Sequence, residues 1–276
     1  MPHSFSNISS RGFRLRIDQY NQGLPPEAPT VIYLHGFKGF KDWGFVPHIG
    51  KSFEQAGIQL VAFNFSHNGI GDQLTEFTEL ERFRDNTFSL ELEEAQEVIA
   101  WITSGELLGQ PPRKQVGLLG HSRGGGIALL AGCGNPLVGR ICTWAAVSTF
   151  KRYPETVIER WRQQGFLEVT NARTGQVMQL GWNLHADLLE HLHGKLNIRK
   201  AVSAMTQPLC IIHGTQDEAV PLEDALALME WAENTSAELH TIEGAGHTFG
   251  ARHPFEGTTS PLEEALAHTL AFFRQG

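Results

Sequence analysis

Short apolar runs, separated by helix-like stretches, recur along this chain and constrain its fold more than any other feature. Thr30-Val31-Ile32-Tyr33-Leu34 is apolar throughout and stops at His35-Gly36. An uninterrupted run suits a strand covered on both faces. Leu60 to Phe65, Val116 to Gly120, Ile141 to Val147, Leu209 to Ile212 and Ala237 to Ile242 read as further strands. Between them, Pro47 opens a helix running through Phe53 and closed by Gly57. Phe88, Leu92, Ala95, Ile99 and Ile102 recur at helical spacing behind an Asn86 or Thr87 cap. Pro221 and Ser260-Pro261 open two more helices; Ser260 with Glu263 forms a capping-box pattern. Near the start, Ser4 to Ile8 and Phe13 to Tyr20 can pair antiparallel, and Gly23 to Pro29 is a proline-rich connection. Strands alternating with helices predict an α/β fold, with a mostly parallel central sheet, helices on both faces and right-handed crossovers.

The rhythm breaks between residues 150 and 206. Charged helix-like segments (Pro154 to Gln164, Ala186 to Leu192, Ile198 to Met205) surround a hairpin pattern, Phe166 to Val169 with Gln176 to Leu180. We read 150–206 as a lid or cap inserted over the strand ends of a core formed by 1–149 and 207–276.

The chain has 276 residues, 41% of them hydrophobic, enough for one large α/β domain or two small ones. Its formal charge of −8 is spread along the sequence, which disfavours nucleic acid and anionic bilayers as partners. The odd number of cysteines, 3, placed in apolar runs, reads as buried free thiols in a reducing compartment. Met1 to Ser6 carries no signal-peptide pattern, and no apolar run approaches a membrane span. A cytoplasmic protein without membrane insertion is the expectation, and the sequence leaves the oligomeric state open.

In such sheets, functional loops gather at the carboxyl ends of the strands. Gly120-His121-Ser122-Arg123-Gly124 lies between the run ending at Leu119 and a small-residue helix pattern from Gly125 to Ala131. That is strand, sharp turn, helix, with a serine projecting from the apex. A serine hydroxyl needs a base, and the base needs an acceptor to fix its tautomer. Downstream, Asp217 follows the strand Leu209 to Ile212 through a glycine-containing turn and precedes Pro221; the adjacent Glu218 is the alternative acid. His247 follows another strand in Gly244-Ala245-Gly246-His247. His35, Ser122, Asp217 and His247 all fall just past a predicted strand.

The order Ser, Asp, His, the strand order and the Ser122 turn resemble the α/β-hydrolase fold family of serine hydrolases over essentially the whole length. The resemblance implies a nucleophilic mechanism with no metal or organic cofactor. It also implies an oxyanion hole from the backbone N–H groups of Arg123 and Phe37, the latter in the His35-Gly36-Phe37 loop, with the His35 side chain bracing that loop. The expected activity is that of a carboxylic ester hydrolase acting on a small-molecule ester or related acyl substrate. Thioesterase, amidase or aminopeptidase, and acyltransferase chemistry use the same triad, and non-catalytic ligand-binding proteins also occur on the fold. The Arg123 side chain is expected to pair with an acid such as Asp85 and brace the turn. Of Phe37, Phe40, Trp43, Phe45 and Trp182, most are expected to be packing residues. His185, His191 and His193 are read as a solvated lid surface, since the last two do not share a helix face.

Overall fold

The computed structural model describes residues 1–20, 24–25, 27–107, 109 and 112–275. The connection expected at Gly23 to Pro29 lies partly outside them. The chain opens with a hairpin, β1 (His3–Ile8) and β2 (Arg14–Tyr20), then β3 (Thr30–Leu34), α1 (Val46–Gln55) and β4 (Gln59–Phe63). Helices α2 (Leu80–Asp85) and α3 (Phe88–Ser104) lead to β5 (Val116–His121), α4 (Arg123–Gly132) and β6 (Val138–Trp144). Next come α5 (Glu155–Gln164), β7 (Phe166–Thr170), β8 (Val177–Gly181), α6 (Trp182–His191) and α7 (Ile198–Ala204). The chain returns with β9 (Leu209–Gly214), α8 (Leu222–Trp231), β10 (Ala237–Ile242) and α9 (Ser260–Arg274).

Eight strands form one sheet in the order β1-β2-β4-β3-β5-β6-β9-β10, while β7 and β8 pair only with each other. From β4 to β10 every pairing is parallel; β2 runs antiparallel to both its neighbours. The period-2 alternation of side chains divides the core in two. Ile32, Leu34, Leu118, Ile141 and Ile211 face α3, α4 and α8. Val31, Tyr33, Leu119, Cys142, Trp144 and Ile212 face α1 and α9. Because both faces are covered at the centre of the sheet, β3, β4, β5 and β9 are buried throughout and read as continuous runs.

Local chemistry sets several boundaries. Thr87 caps α3 by accepting from the Leu90 N–H. At α9 the cap is Thr259, which accepts from the Leu262 N–H, not Ser260 as the capping-box pattern suggested. The Glu263 side chain instead bonds Thr258 and His48. Strand β6 ends at Trp144 because Ala145 takes a left-handed φ of 48°. The short helix α2 has no signal in the sequence reading. Its apolar contribution is the single buried residue Phe83, too little to show periodicity.

One buried aromatic cluster supports the carboxyl end of the sheet. Trp144 is wholly buried, and its indole N–H donates to Thr269 Oγ1 at 2.8 Å. Its ring meets Phe45 and Phe249 edge-on, and Phe45 in turn meets His121. Phe249 follows His247 by two positions, so this packing anchors the loop that carries the histidine.

Candidate active site

Ser122 occupies the tip of the turn between β5 and α4 with φ 58° and ψ −121°. A non-glycine residue at positive φ costs on the order of 1–2 kcal/mol. The surroundings hold it there: its N–H donates to Trp144 O at 2.9 Å, and its carbonyl accepts from Gly125 N at 3.0 Å. Two glycines make the turn possible. A Cβ on Gly120 would run into the Gly124 carbonyl, and one on Gly124 would run into the carbonyl oxygens of Leu34 and His35. The helix packs this closely because neither has a side chain.

The structure brings Ser122, Asp217 and His247 together at the carboxyl edge of the sheet. Ser122 Oγ lies 3.0 Å from His247 Nε2, and His247 Nδ1 lies 2.8 Å from Asp217 Oδ2. An ionised carboxylate only accepts, so Nδ1 carries the proton and Nε2 presents its lone pair to the hydroxyl. Asp217 Oδ1 accepts from the N–H groups of Ala219 and Val220, each at 2.9 Å. Burial alone would raise its pKa. The His247 bond and charge, with those two N–H groups, outweigh burial and hold the carboxyl below its ordinary value. Glu218 is exposed, and Asp217, not its neighbour, contacts the imidazole.

Other histidines hold this arrangement in place. His213 is fully buried, and its Nε2–H donates to Val220 O at 2.8 Å, closing the turn that presents Asp217. His121 donates from Nε2 to His247 O at 3.0 Å. Burial and the neighbouring His247 push the His121 pKa down to about 3, so it stays a neutral donor. His35 donates from Nδ1 to Gly36 O at 2.9 Å and accepts from Phe65 N at 3.2 Å. Burial lowers its pKa to about 4. Its side chain braces the loop after β3, as the sequence led us to expect.

Phe37 and Arg123 sit on the same cavity wall as Ser122 and His247. Arg123 is the first residue of α4, where backbone N–H groups have no partner four residues back. Its guanidinium lies over Phe37 at 4.3 Å and Phe88 at 5.0 Å. Its acid is Glu91, at 3.4 Å and buried, not Asp85. Asp85 ends α2 at the surface, whereas α3 passes directly beside the turn. Glu91 lies three residues after Phe88 and four before Ala95, on the apolar stripe itself. That placement is the signal in the sequence that marks it as a buried acid.

A cavity of about 400 Å³ opens above the pair, walled by Phe37, Phe88, Val147, Phe150 and Tyr153. A second of about 400 Å³ shares Ser122, His247, Phe37 and Lys38, then extends toward Tyr33, Trp43 and Arg173. A third, also about 400 Å³, lies at the amino ends of β3 and β5 and holds no residue of this group. Among the named aromatics, Phe40 and Phe45 are core, Phe37 and Trp43 reach the cavities, and Trp182 packs on Trp161 away from them. His185 departs from the solvated surface expected of it: it is buried between Trp161 and Trp182, while His193 is exposed. The loop after β4 is a buried polar network in which Glu94 accepts from the Ser66 N–H and hydroxyl.

Among the described residues one group could ligate a metal: Cys210, Glu238 and His240, near the amino end of β9 and remote from Ser122. Cys133, Cys142 and Cys210 are free thiols. No described helix is long and apolar enough to cross a membrane.

Comparison with solved structures finds the same architecture at low identity. The structure of Est1E from Butyrivibrio proteoclasticus with ferulic acid bound is 20% identical, covers 98% of each chain and gives a TM-score of 0.72. DcsB in complex with its substrate analogue gives 0.77 at 15% identity, over 100% of this chain and 99% of that one. A monoacylglycerol lipase from Paleococcus ferrophilus gives 0.68 at 14% identity, over 94% and 98%. No curated protein sequence matches the chain. A family model does: the one described as the alpha/beta hydrolase family aligns with residues 31–260. With the sheet order, the helix layers and that match in agreement, this chain belongs to the alpha/beta hydrolase family.

Proposed function

We propose that the protein is a serine hydrolase that cleaves carboxylic esters of small molecules through an acyl-enzyme on Ser122. The observation that carries this reading is the hydrogen-bonded line from Ser122 Oγ through the His247 imidazole to Asp217. His247 Nε2 takes the hydroxyl proton as Oγ attacks the ester carbonyl. Asp217 holds the imidazole in the required tautomer and stabilises the imidazolium. The tetrahedral oxyanion is received by the backbone N–H groups of Phe37 and Arg123, a contribution of about 10²- to 10³-fold per donor in comparable sites. His247 then protonates the departing alkoxide, and the alcohol leaves. Water, losing its proton to Nε2, attacks the acyl carbonyl, and collapse returns the acid and the free serine. No step calls for a metal or an organic cofactor.

Residues 150–206 act as the lid in this reading. Phe150, Arg152, Tyr153, Asn171 and Arg173 from that segment line the two cavities beside Ser122. They shape the space for the acyl and leaving groups and limit water access.

A fluorophosphonate probe tests the reading. Wild-type protein labels stoichiometrically and releases p-nitrophenol from short-chain p-nitrophenyl esters, while a folded Ser122→Ala variant does neither. Folded wild-type protein that resists the probe overturns the proposal. A panel pairing each ester with its thioester and amide decides the leaving-group class, because the triad alone serves all of them.

A further inference from the structure

We infer that the cavity bounded by Lys38 and Arg173 receives a negatively charged oxygen group, so that the preferred substrate is an ester carrying a second, anionic substituent. This rests on the ester-hydrolase reading above and specifies its substrate class.

The cations beside Ser122 divide into two kinds. Arg123 is matched by Glu91 at 3.4 Å, and Arg152 by Asp224 at 3.0 Å. Lys38 and Arg173 have no carboxylate partner among the described residues. Lys38 Nζ donates to the Thr170 carbonyl at 3.1 Å. Arg173 Nη2 donates to the Thr75 carbonyl at 3.1 Å. Three donors on the ammonium and five on the guanidinium are far from used up by one carbonyl each. Both side chains line the cavity that also contains Ser122 and His247.

Position 38 carries a further mark. Lys38 has φ 58°, in the left-handed region. Glycine takes that conformation without penalty, and lysine does not. The backbone strain is therefore accepted together with a half-buried side chain that has no carboxylate partner among the described residues, and strain of this kind concentrates where ligands are held. The protein as a whole is acidic, at formal charge −8, so two unmatched cations at one cavity attract an anion against the general field. Tyr33, Trp43 and Phe37 wall the space between, which fits an apolar or aromatic spacer. A monoester of a dicarboxylic acid and a phenolic acid acylated on its phenol oxygen both satisfy this chemistry, since each keeps a free carboxylate. A phosphate in place of the carboxylate would use the same donors.

Matched esters test the inference. Mono-p-nitrophenyl glutarate is compared with p-nitrophenyl pentanoate, and 4-acetoxybenzoate with phenyl acetate; 4-acetoxyphenyl phosphate separates phosphate from carboxylate. At least one anionic member is expected to exceed its neutral partner by about tenfold in kcat/KM, the worth of one charge-assisted hydrogen bond. That ratio shrinks as salt is added. It falls toward one in Lys38→Gln and Arg173→Gln, whereas Lys38→Arg retains most of it. Circular dichroism and melting curves establish that each variant is folded. Wild-type turnover of neutral and anionic partners at equal rates overturns this inference and leaves the ester-hydrolase reading intact. Failure to turn over any of them overturns both.

Discussion

Replacing Asp217 by asparagine isolates the role of one proton. Oδ1 accepts two backbone N–H bonds, from Ala219 and Val220, and Oδ2 accepts one from His247 Nδ1. An amide can orient in two ways. With its NH₂ toward Ala219 and Val220 it would face two donors with a donor, at a cost of about 1–3 kcal/mol for each bond lost. It therefore keeps its oxygen there and turns the NH₂ toward His247. Nδ1 must then accept, so the ring proton moves to Nε2 and points at Ser122 Oγ. The base no longer has a lone pair for the hydroxyl proton, although every backbone bond of the turn survives. The expected result is a fall of about 10⁴-fold in kcat, the scale set by the same tautomer reversal in a well-studied triad, with little change in stability. The assay is p-nitrophenyl ester turnover, read beside the rate of fluorophosphonate labelling and a melting curve. A folded Asp217→Asn protein within tenfold of wild type would refute the assignment of Asp217, and Glu218 would be the next residue to test.

Other outcomes follow from the same geometry. Burial pushes the Glu94 pKa from 4.5 up to about 7, so between those values the folded chain keeps a proton the unfolded chain has lost. Stability therefore falls as pH rises through that window, by up to about 3 kcal/mol. Glu94→Gln should flatten the slope of urea midpoints between pH 5 and pH 7.5, and an unchanged slope rejects this account. Lys41→Met strands the buried Asp18, bound to Nζ at 2.6 Å, together with Asp42. A loss of about 3–5 kcal/mol in chemical denaturation is expected, and a loss below 1 kcal/mol would contradict it. Gly124→Ala drives a methyl group into the carbonyls of Leu34 and His35. It should cost about 1–3 kcal/mol and lower kcat/KM by more than tenfold; a folded, fully active variant refutes the close approach.

How far the sequence could be read depended on what kind of signal each feature leaves. The sheet strands were legible because burial on both faces leaves unbroken apolar runs, as in Thr30 to Leu34. Ser122, Asp217 and His247 were legible because each follows such a run through a turn rich in glycine. Groups that act by pairing across the fold were not. Glu94 looks like the solvated side of α3 and Glu91 falls on its apolar stripe, yet neither position names the partner from another element, Ser66 or Arg123, against which each is buried. Lys41 and Asp18 lie 23 residues apart and meet only because β4 pairs with both β2 and β3, which brings the loop after β3 within reach of β2. His185 has no neighbour in sequence to show that Trp161 will cover it. Each of these is a tertiary contact, invisible to local pattern.

Strand β7 and strand β8 hydrogen-bond to each other and to no other strand, while Ser122, Asp217 and His247 all spring from turns of the main sheet. In the proposed function the reacting groups sit on the main sheet, while the cavity wall beside them is shared between the core, through Phe37 and Lys38, and the 150–206 segment, through Tyr153 and Arg173. Grafting the 150–206 region between relatives would therefore carry over only Arg173's share of the selectivity for an anionic substituent, and position 38 would have to travel with it.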